Sequence, residues 1–76
     1  MTEAKAIFIT GAAAGIGAET ARLFARNGWR VGASDVNEAA LAALQRECGG
    51  PLSVHVADVR DRAAVASALR EFTNLA

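Results

Sequence analysis

Three glycines lie close together near the start of the chain, in the segment Thr10-Gly11-Ala12-Ala13-Ala14-Gly15-Ile16-Gly17. Gly11 permits a tight turn, Gly15 lets the backbone approach a ligand without a Cβ, and Gly17 allows a helix to pack close to a strand. The first N–H groups of such a helix, together with the positive end of its dipole, converge on one point. Because phosphate groups bind at this kind of helix start, the segment predicts a pyrophosphate site.

An acidic residue, Asp35, follows the last of these glycines by 18 residues and closes a short apolar run. In a dinucleotide-binding sheet, the adenosine ribose lies at this strand end. A carboxylate there can accept hydrogen bonds from both ribose hydroxyls, but it would repel a 2′-phosphate. The nearby Ala14, Val36 and Asn37 carry no positive charge. The pattern therefore predicts NAD in preference to NADP. The alternatives are that the glycines only form a compact turn and that Asp35 is a solvated turn residue or helix cap.

The spacing of the apolar residues predicts the strands and helices that carry these groups. Three strands are predicted, over residues 6–10, 30–34 and 52–57. Three helices are predicted, over Ile16–Asn27, between the cap Asn37 and a stop at residues 49–51, and after the cap Asp61. Strands that alternate with helices imply parallel pairing through right-handed crossovers. The predicted fold class is α/β, a Rossmann-like doubly wound parallel sheet in its β-α-β-α-β-α half, with strand order 3-2-1.

Apolar periodicity also predicts which side of each element is buried. For the first helix we expect the face that carries Ile16, Thr20, Leu23, Phe24 and Asn27. For the third strand we expect the side that carries Leu52, Val54 and Val56. For the third helix we expect the face that carries Val65, Leu69 and Phe72.

The composition narrows the class of function. The chain has 8 Lys+Arg and 8 Asp+Glu, so no excess charge draws it to nucleic acid or to an anionic membrane surface. No apolar run is long enough to span a membrane, and we expect a cytoplasmic protein. Cys48 is the only cysteine, which fits a reducing compartment, and we interpret it as structural. We interpret His55 as a strand residue and expect no metal site.

Two motifs resemble those of the short-chain dehydrogenase/reductase (SDR) family. Thr10-Gly11-x-x-x-Gly15-Ile16-Gly17 is similar to its glycine motif, which has three residues between the first two glycines. Asp58-Val59, after the third predicted strand, is similar to its acidic-aliphatic pair. The resemblance extends over the whole chain, in the family's order and spacing. It implies the N-terminal, cofactor-binding half of an NAD-dependent oxidoreductase.

The resemblance also implies roles for individual residues. Thr10 and Gly11 would shape the loop, with Gly15 and Gly17. Ile16 would lie near the nicotinamide ribose, and Asp35 would hold the adenosine ribose. Asp58 and Val59 would line the adenine pocket. From the residues alone, Asp58 would serve equally well as a turn or capping residue.

The residues that catalyse hydride transfer in this family have no counterpart here. The family uses a Tyr, a Lys four residues later, a Ser and an Asn, whereas this sequence has no Tyr. We expect residues 1–76 to be an NAD(P)-binding half-domain truncated before the catalytic segment, and no catalytic residue is named. In the predicted strand order the first strand would be an unpaired edge, so we expect a homo-oligomer or the remainder of a longer chain.

Two other interpretations remain open. One is a non-catalytic nucleotide-binding or structural Rossmann fragment, which a hydride-transfer assay would separate from an enzyme. The other is half of a methyltransferase domain, since those proteins also place an acid at the end of the second strand. Their glycine loop usually has tighter spacing and lacks the Thr-Gly opening.

Overall fold

Three strands and three helices alternate along the chain in the computed structural model, which describes residues 5–75. The elements are β1 (Ala6–Thr10), α1 (Gly15–Arg26), β2 (Arg30–Asp35), α2 (Glu38–Cys48), β3 (Leu52–Val56) and α3 (Arg62–Thr73). The predicted strand bounds agree to within one residue, and the first helix begins and ends one residue earlier than predicted. The β-α-β-α-β-α order is confirmed.

The strands form one parallel sheet in the order β1-β2-β3, as predicted. Thr10 lies opposite Ser34, and Asp35 lies opposite Val56. These pairs bring the carboxyl ends of all three strands to one edge of the sheet. Among residues 5–75, β1 pairs with β2 alone, so its other side has no strand beside it.

The main core lies between the sheet and the helices α1 and α2. Its buried members include Val31 and Ala33 of β2 and Leu41 and Leu44 of α2. These positions alternate along β2 and recur at helical spacing in α2, as burial of one face requires. Burial of this apolar surface favours folding.

The face of α1 that contacts the sheet differs from the prediction. Its buried residues are Ala18 and Ala21, whereas Ile16 is 85% exposed and Leu23 is also exposed. The physical reason is the close approach of the helix at Gly17, which leaves room only for small side chains beneath the first two turns. Phe24 does pack against the core as expected.

The opposite face of the sheet is covered by α3. Phe72 is buried and its ring lies 5.6 Å from that of Phe8. Gly32 lies beneath both rings, and a Cβ there would approach each within 3 Å. Val65 is half-buried and Leu69 is exposed, so only part of the predicted face of α3 is buried.

The third strand departs from its predicted pattern at its end. Val56 is 55% exposed because it lies at the carboxyl end of an edge strand, while Leu52 is buried and Val54 packs against the core. His55 is buried on the side of α3. Its Nδ1 lies 2.7 Å from Glu71 Oε1 and its Nε2 lies 2.9 Å from Ser53 Oγ. His55 is a strand residue, as interpreted from the sequence.

Two of the helices have a side-chain cap at their N-terminus. The Asn37 carboxamide oxygen accepts a hydrogen bond from Ala40 N at 3.0 Å, and Asp61 Oδ1 accepts one from Ala64 N at 3.1 Å. Both caps were predicted. No helix within residues 5–75 has the length and apolar character needed to cross a membrane.

Candidate functional site

The loop between β1 and α1 depends on its glycines. Gly11 and Gly15 have φ angles of +67° and +59°, in the left-handed region that L side chains rarely adopt. A Cβ on Gly17 would overlap the carbonyl oxygen of Gly11. The turn and the close packing anticipated for Gly11 and Gly17 are therefore both present. A Cβ on Gly15 would meet nothing within 4 Å, so this part of the loop faces open space.

The start of α1 is open. Its N-cap residue, Ala14, has extended dihedrals and no side-chain cap. The first N–H groups of a helix have no partner within the helix itself. They add to the positive end of the helix dipole, and no acidic residue in the first turn of α1 offsets it. This end of α1 is suited to an anionic group.

The carboxylate of Asp35 faces the same loop. Its Oδ2 accepts a hydrogen bond from Ala13 N at 3.1 Å, and its Oδ1 accepts one from Asn37 N, also at 3.1 Å. The amides of Asn37 and then of Ala13 hold the pKa of Asp35 below its usual range. Because each carboxylate oxygen has two lone pairs, the ionised side chain can still accept further hydrogen bonds.

A cavity of about 280 Å³ opens where the three strands end. Two backbone hydrogen bonds hold its walls together, from Ala12 N to Ser34 O at 3.0 Å and from Ala57 N to Asp35 O at 3.1 Å. The cavity is lined by Thr10, Gly11, Ser34, Asp35, Val36, Ala57, Asp58, Val59 and Arg60.

Five of the eight residues singled out from the sequence line this cavity: Thr10, Gly11, Asp35, Asp58 and Val59. The other three, Gly15, Ile16 and Gly17, lie in the turn and at the start of α1. A more open groove of about 660 Å³ follows the outer side of α1, and it includes Gly15 and Ile16. The smaller cavity is the better candidate site, because the polar groups converge there.

Asp58 is paired with a residue that the sequence interpretation missed. Arg60 Nη2 donates to Asp58 Oδ2 at 2.8 Å, and Arg60 Nε donates to Oδ1 at 3.1 Å. The backbone amide of Arg60 also donates to Oδ1, at 2.9 Å, which gives Asp58 the turn role considered above. These bonds lower the pKa of Asp58 to about 2. The signal in the sequence was an arginine two residues after an acid at a strand end.

Comparison with known proteins shows the family. Residues 5–75 match the short chain dehydrogenase family, so this chain belongs to it. D-threitol dehydrogenase from Mycolicibacterium smegmatis (strain ATCC 700084 / mc(2)155) is 39% identical over 69 residues, which are 87% of this chain and 26% of that protein. The chain thus spans about a quarter of the length of the curated relatives it matches.

Solved structures agree with the fold. A 3-ketoacyl-(acyl-carrier-protein) reductase from Brucella melitensis, complexed with NADH, has a TM-score of 0.89 at 30% identity, covering 95% of this chain and 30% of its own. A closed form of serine dehydrogenase, complexed with NADP⁺, has a TM-score of 0.81 at 35% identity, covering 86% and 26%. The Rossmann-like class is confirmed, and the family binds nicotinamide dinucleotides.

Proposed function

We propose that this chain is the NAD-binding portion of a short-chain dehydrogenase. The observation that carries the proposal is the convergence of the uncapped start of α1 with the carboxylates of Asp35 and Asp58 at the carboxyl edge of the sheet. In open α/β sheets, ligands bind at this edge. In the complete protein, the bound nicotinamide would exchange a hydride with an alcohol or carbonyl substrate.

The shape of the glycine turn supports a diphosphate at the start of α1. A side chain on Gly15 would project into the open space in front of the loop, and the amides of the first helical turn provide donors there. In this proposal Thr10 and Gly11 shape the turn, Gly17 fixes the helix against it, and Ile16 lies near the nicotinamide ribose. These residues would bind and orient the cofactor.

The adenosine half would occupy the cavity at the strand ends. Its walls present the carboxylates of Asp35, which ends β2, and of Asp58, which follows β3, and Val59 contributes apolar surface. Asp35 would accept hydrogen bonds from the ribose hydroxyls. Asp58 would accept one from the adenine amino group, with Val59 beside the ring.

Preference for NAD over NADP is part of the proposal and rests on Asp35. Asp35 is ionised at neutral pH, as an aspartate with an ordinary pKa also is, so a 2′-phosphate on the ribose would meet a negative charge. Within residues 5–75 the cavity is lined by two carboxylates, Asp35 and Asp58, and by one cation, Arg60, so the lining has a net negative charge whether or not Arg60 is paired. NADP⁺ and NADH are both found among related structures, so the affinities must be measured.

Calorimetric titration of the full chain with NAD and with NADP tests the proposal. We expect NAD to bind at least tenfold more tightly than NADP, and we expect Asp35→Asn to remove most of that difference. A tenfold ratio of affinities corresponds to about 1.4 kcal/mol of binding free energy, which is within the range of a charged hydrogen bond. Asp61→Asn is the matched control, because it makes the same change outside the cavity and an asparagine still caps α3. Failure of the parent chain to bind NAD would refute the proposal.

A second candidate is a Rossmann module that binds a nucleotide without catalysis. The 76 residues contain no tyrosine. Turnover in an assay of the full chain for hydride transfer to NAD would exclude the module. A cytoplasmic location is also proposed from the sequence, and cell fractionation tests it.

A further inference from the structure

Arg60 occupies most of the acceptor positions of the Asp58 carboxylate. Oδ1 accepts from Arg60 N at 2.9 Å and from Arg60 Nε at 3.1 Å, while Oδ2 accepts from Arg60 Nη2 at 2.8 Å and from Nε at 3.3 Å. A carboxylate has about four lone-pair positions. An amino group that approaches Asp58 must therefore compete with the guanidinium of Arg60.

An amino group can compete with Arg60 for Asp58, because the ion pair is exposed to solvent. The side chain of Arg60 is 87% exposed and that of Asp58 is 35% exposed. Exposed ion pairs have a small net free energy, because both partners are well solvated when they separate. The backbone bond from Arg60 N does not depend on the side chain, so the carboxylate keeps its place when the guanidinium leaves.

We propose that Arg60 determines which purine base the site accepts, by placing either a guanidinium or a free carboxylate at the position of the base's 6-substituent. This inference rests on the proposed adenosine site. When Arg60 is turned away, Asp58 presents an acceptor that suits the 6-amino group of adenine. When Arg60 is paired, its N–H groups present donors that suit the 6-oxo group of hypoxanthine. The residue is a specificity residue and takes no part in hydride transfer.

Asp58 alone would select more strictly. When a carboxylate oxygen lies opposite the 6-oxo oxygen of a base, two hydrogen-bond acceptors meet with no proton between them. This contact is unfavourable. With Arg60 present, the site tolerates this base because the guanidinium supplies the missing donor. Removing the guanidinium should raise the affinity for adenine and lower the affinity for hypoxanthine.

The test compares NAD with nicotinamide hypoxanthine dinucleotide, which has the same charge, by calorimetry on the full chain. Arg60→Met keeps the length of the side chain without its charge or donors. We expect this variant to bind NAD about two- to fivefold more tightly, as the loss of one exposed ion pair allows. We expect it to bind the hypoxanthine analogue more weakly, so that the ratio of the two affinities rises about tenfold.

Two controls make the result specific. Arg46→Met removes an exposed arginine of α2 outside the cavity and should leave the ratio unchanged. Arg60→Lys keeps the charge but loses the planar fork, so its ratio should lie between those of the parent and Arg60→Met. An unchanged ratio in Arg60→Met, with NAD still bound by the parent, would overturn this inference alone. If the parent binds neither dinucleotide, the proposed function fails as well.

Discussion

The carboxylate of Asp35 accepts a hydrogen bond from the backbone amide of Ala13 at 3.1 Å, across 22 residues of sequence. The bond ties the end of β2 to the glycine loop. Asp35 therefore has a structural role in addition to the proposed one, and the alternative of a purely solvated turn residue does not describe it. A change at Asp35 should affect both the stability of the loop and the affinity for NAD.

Substitution of Asp35 by alanine should lower both the stability of the chain and its affinity for NAD. Asp35→Ala removes the acceptors for both Ala13 N and Asn37 N, so we expect the free energy of unfolding to fall by about 1–2 kcal/mol. We expect the affinity for NAD to fall at least tenfold, because charged hydrogen bonds to the ribose are also lost. Urea unfolding and calorimetry measure the two quantities. Unchanged NAD affinity in a folded Asp35→Ala chain would remove the ribose assignment.

The stability of the folded chain at acid pH should also depend on Asp35 and Asp58. The pKa of each is lower in the folded chain than the value of about 3.9 found in unfolded chains. Folding is therefore favoured by these groups above about pH 4, and the contribution is lost as the pH falls toward 2. We expect the Tm from circular dichroism to fall over this interval, and less steeply in Asp35→Asn. Parallel curves for parent and variant would show that Asp35 makes no such contribution.

The tight contact at Gly17 gives a prediction about packing. Gly17→Ala would force a methyl group onto the carbonyl oxygen of Gly11, and overpacking of this kind costs about 1–3 kcal/mol. Gly50→Ala is the matched control, since a Cβ there meets nothing within 4 Å and its φ is not positive. We expect the control to change the free energy of unfolding by less than about 0.5 kcal/mol. Equal effects of the two substitutions in urea unfolding would contradict the close packing of α1.

The free side of β1 predicts self-association when the 76 residues are produced alone. Ile7, Phe8 and Ile9 are only half-buried, and among residues 5–75 no strand pairs with the outer side of β1. Apolar strand edges of this kind favour pairing with another chain. We expect light scattering after size-exclusion chromatography to give a mass above that of the 7.8 kDa chain. A stable, soluble monomer would count against this expectation.

Much of the fold was predictable because its signals are local. Glycines and aspartates marked the strand ends, and Asn37 and Asp61 were recognised as caps from their positions before apolar periodicity. The buried face of α1 was not, because the approach of Gly17 to Gly11 selects small residues such as Ala18 and Ala21 instead of the larger Ile16 and Leu23. Periodicity records where apolar residues recur, but it does not record how close two backbones lie.

The candidate site was predictable in its main residues and not in its contacts. Five of the eight residues meet at one cavity because parallel strands end at the same edge. The pairing of Arg60 with Asp58 was missed, since spacing alone does not show that an exposed side chain folds back on a neighbour two residues earlier. The bond from Ala13 to Asp35 was missed because it depends on the three-dimensional course of the loop.

A crystal structure of the chain with NAD would show directly where the dinucleotide binds. We predict that the diphosphate accepts hydrogen bonds from the first amides of α1, with the adenosine ribose on Asp35 and the adenine beside Asp58. A dinucleotide bound at another surface, or a glycine turn filled by side chains of this protein, would contradict the proposed NAD site.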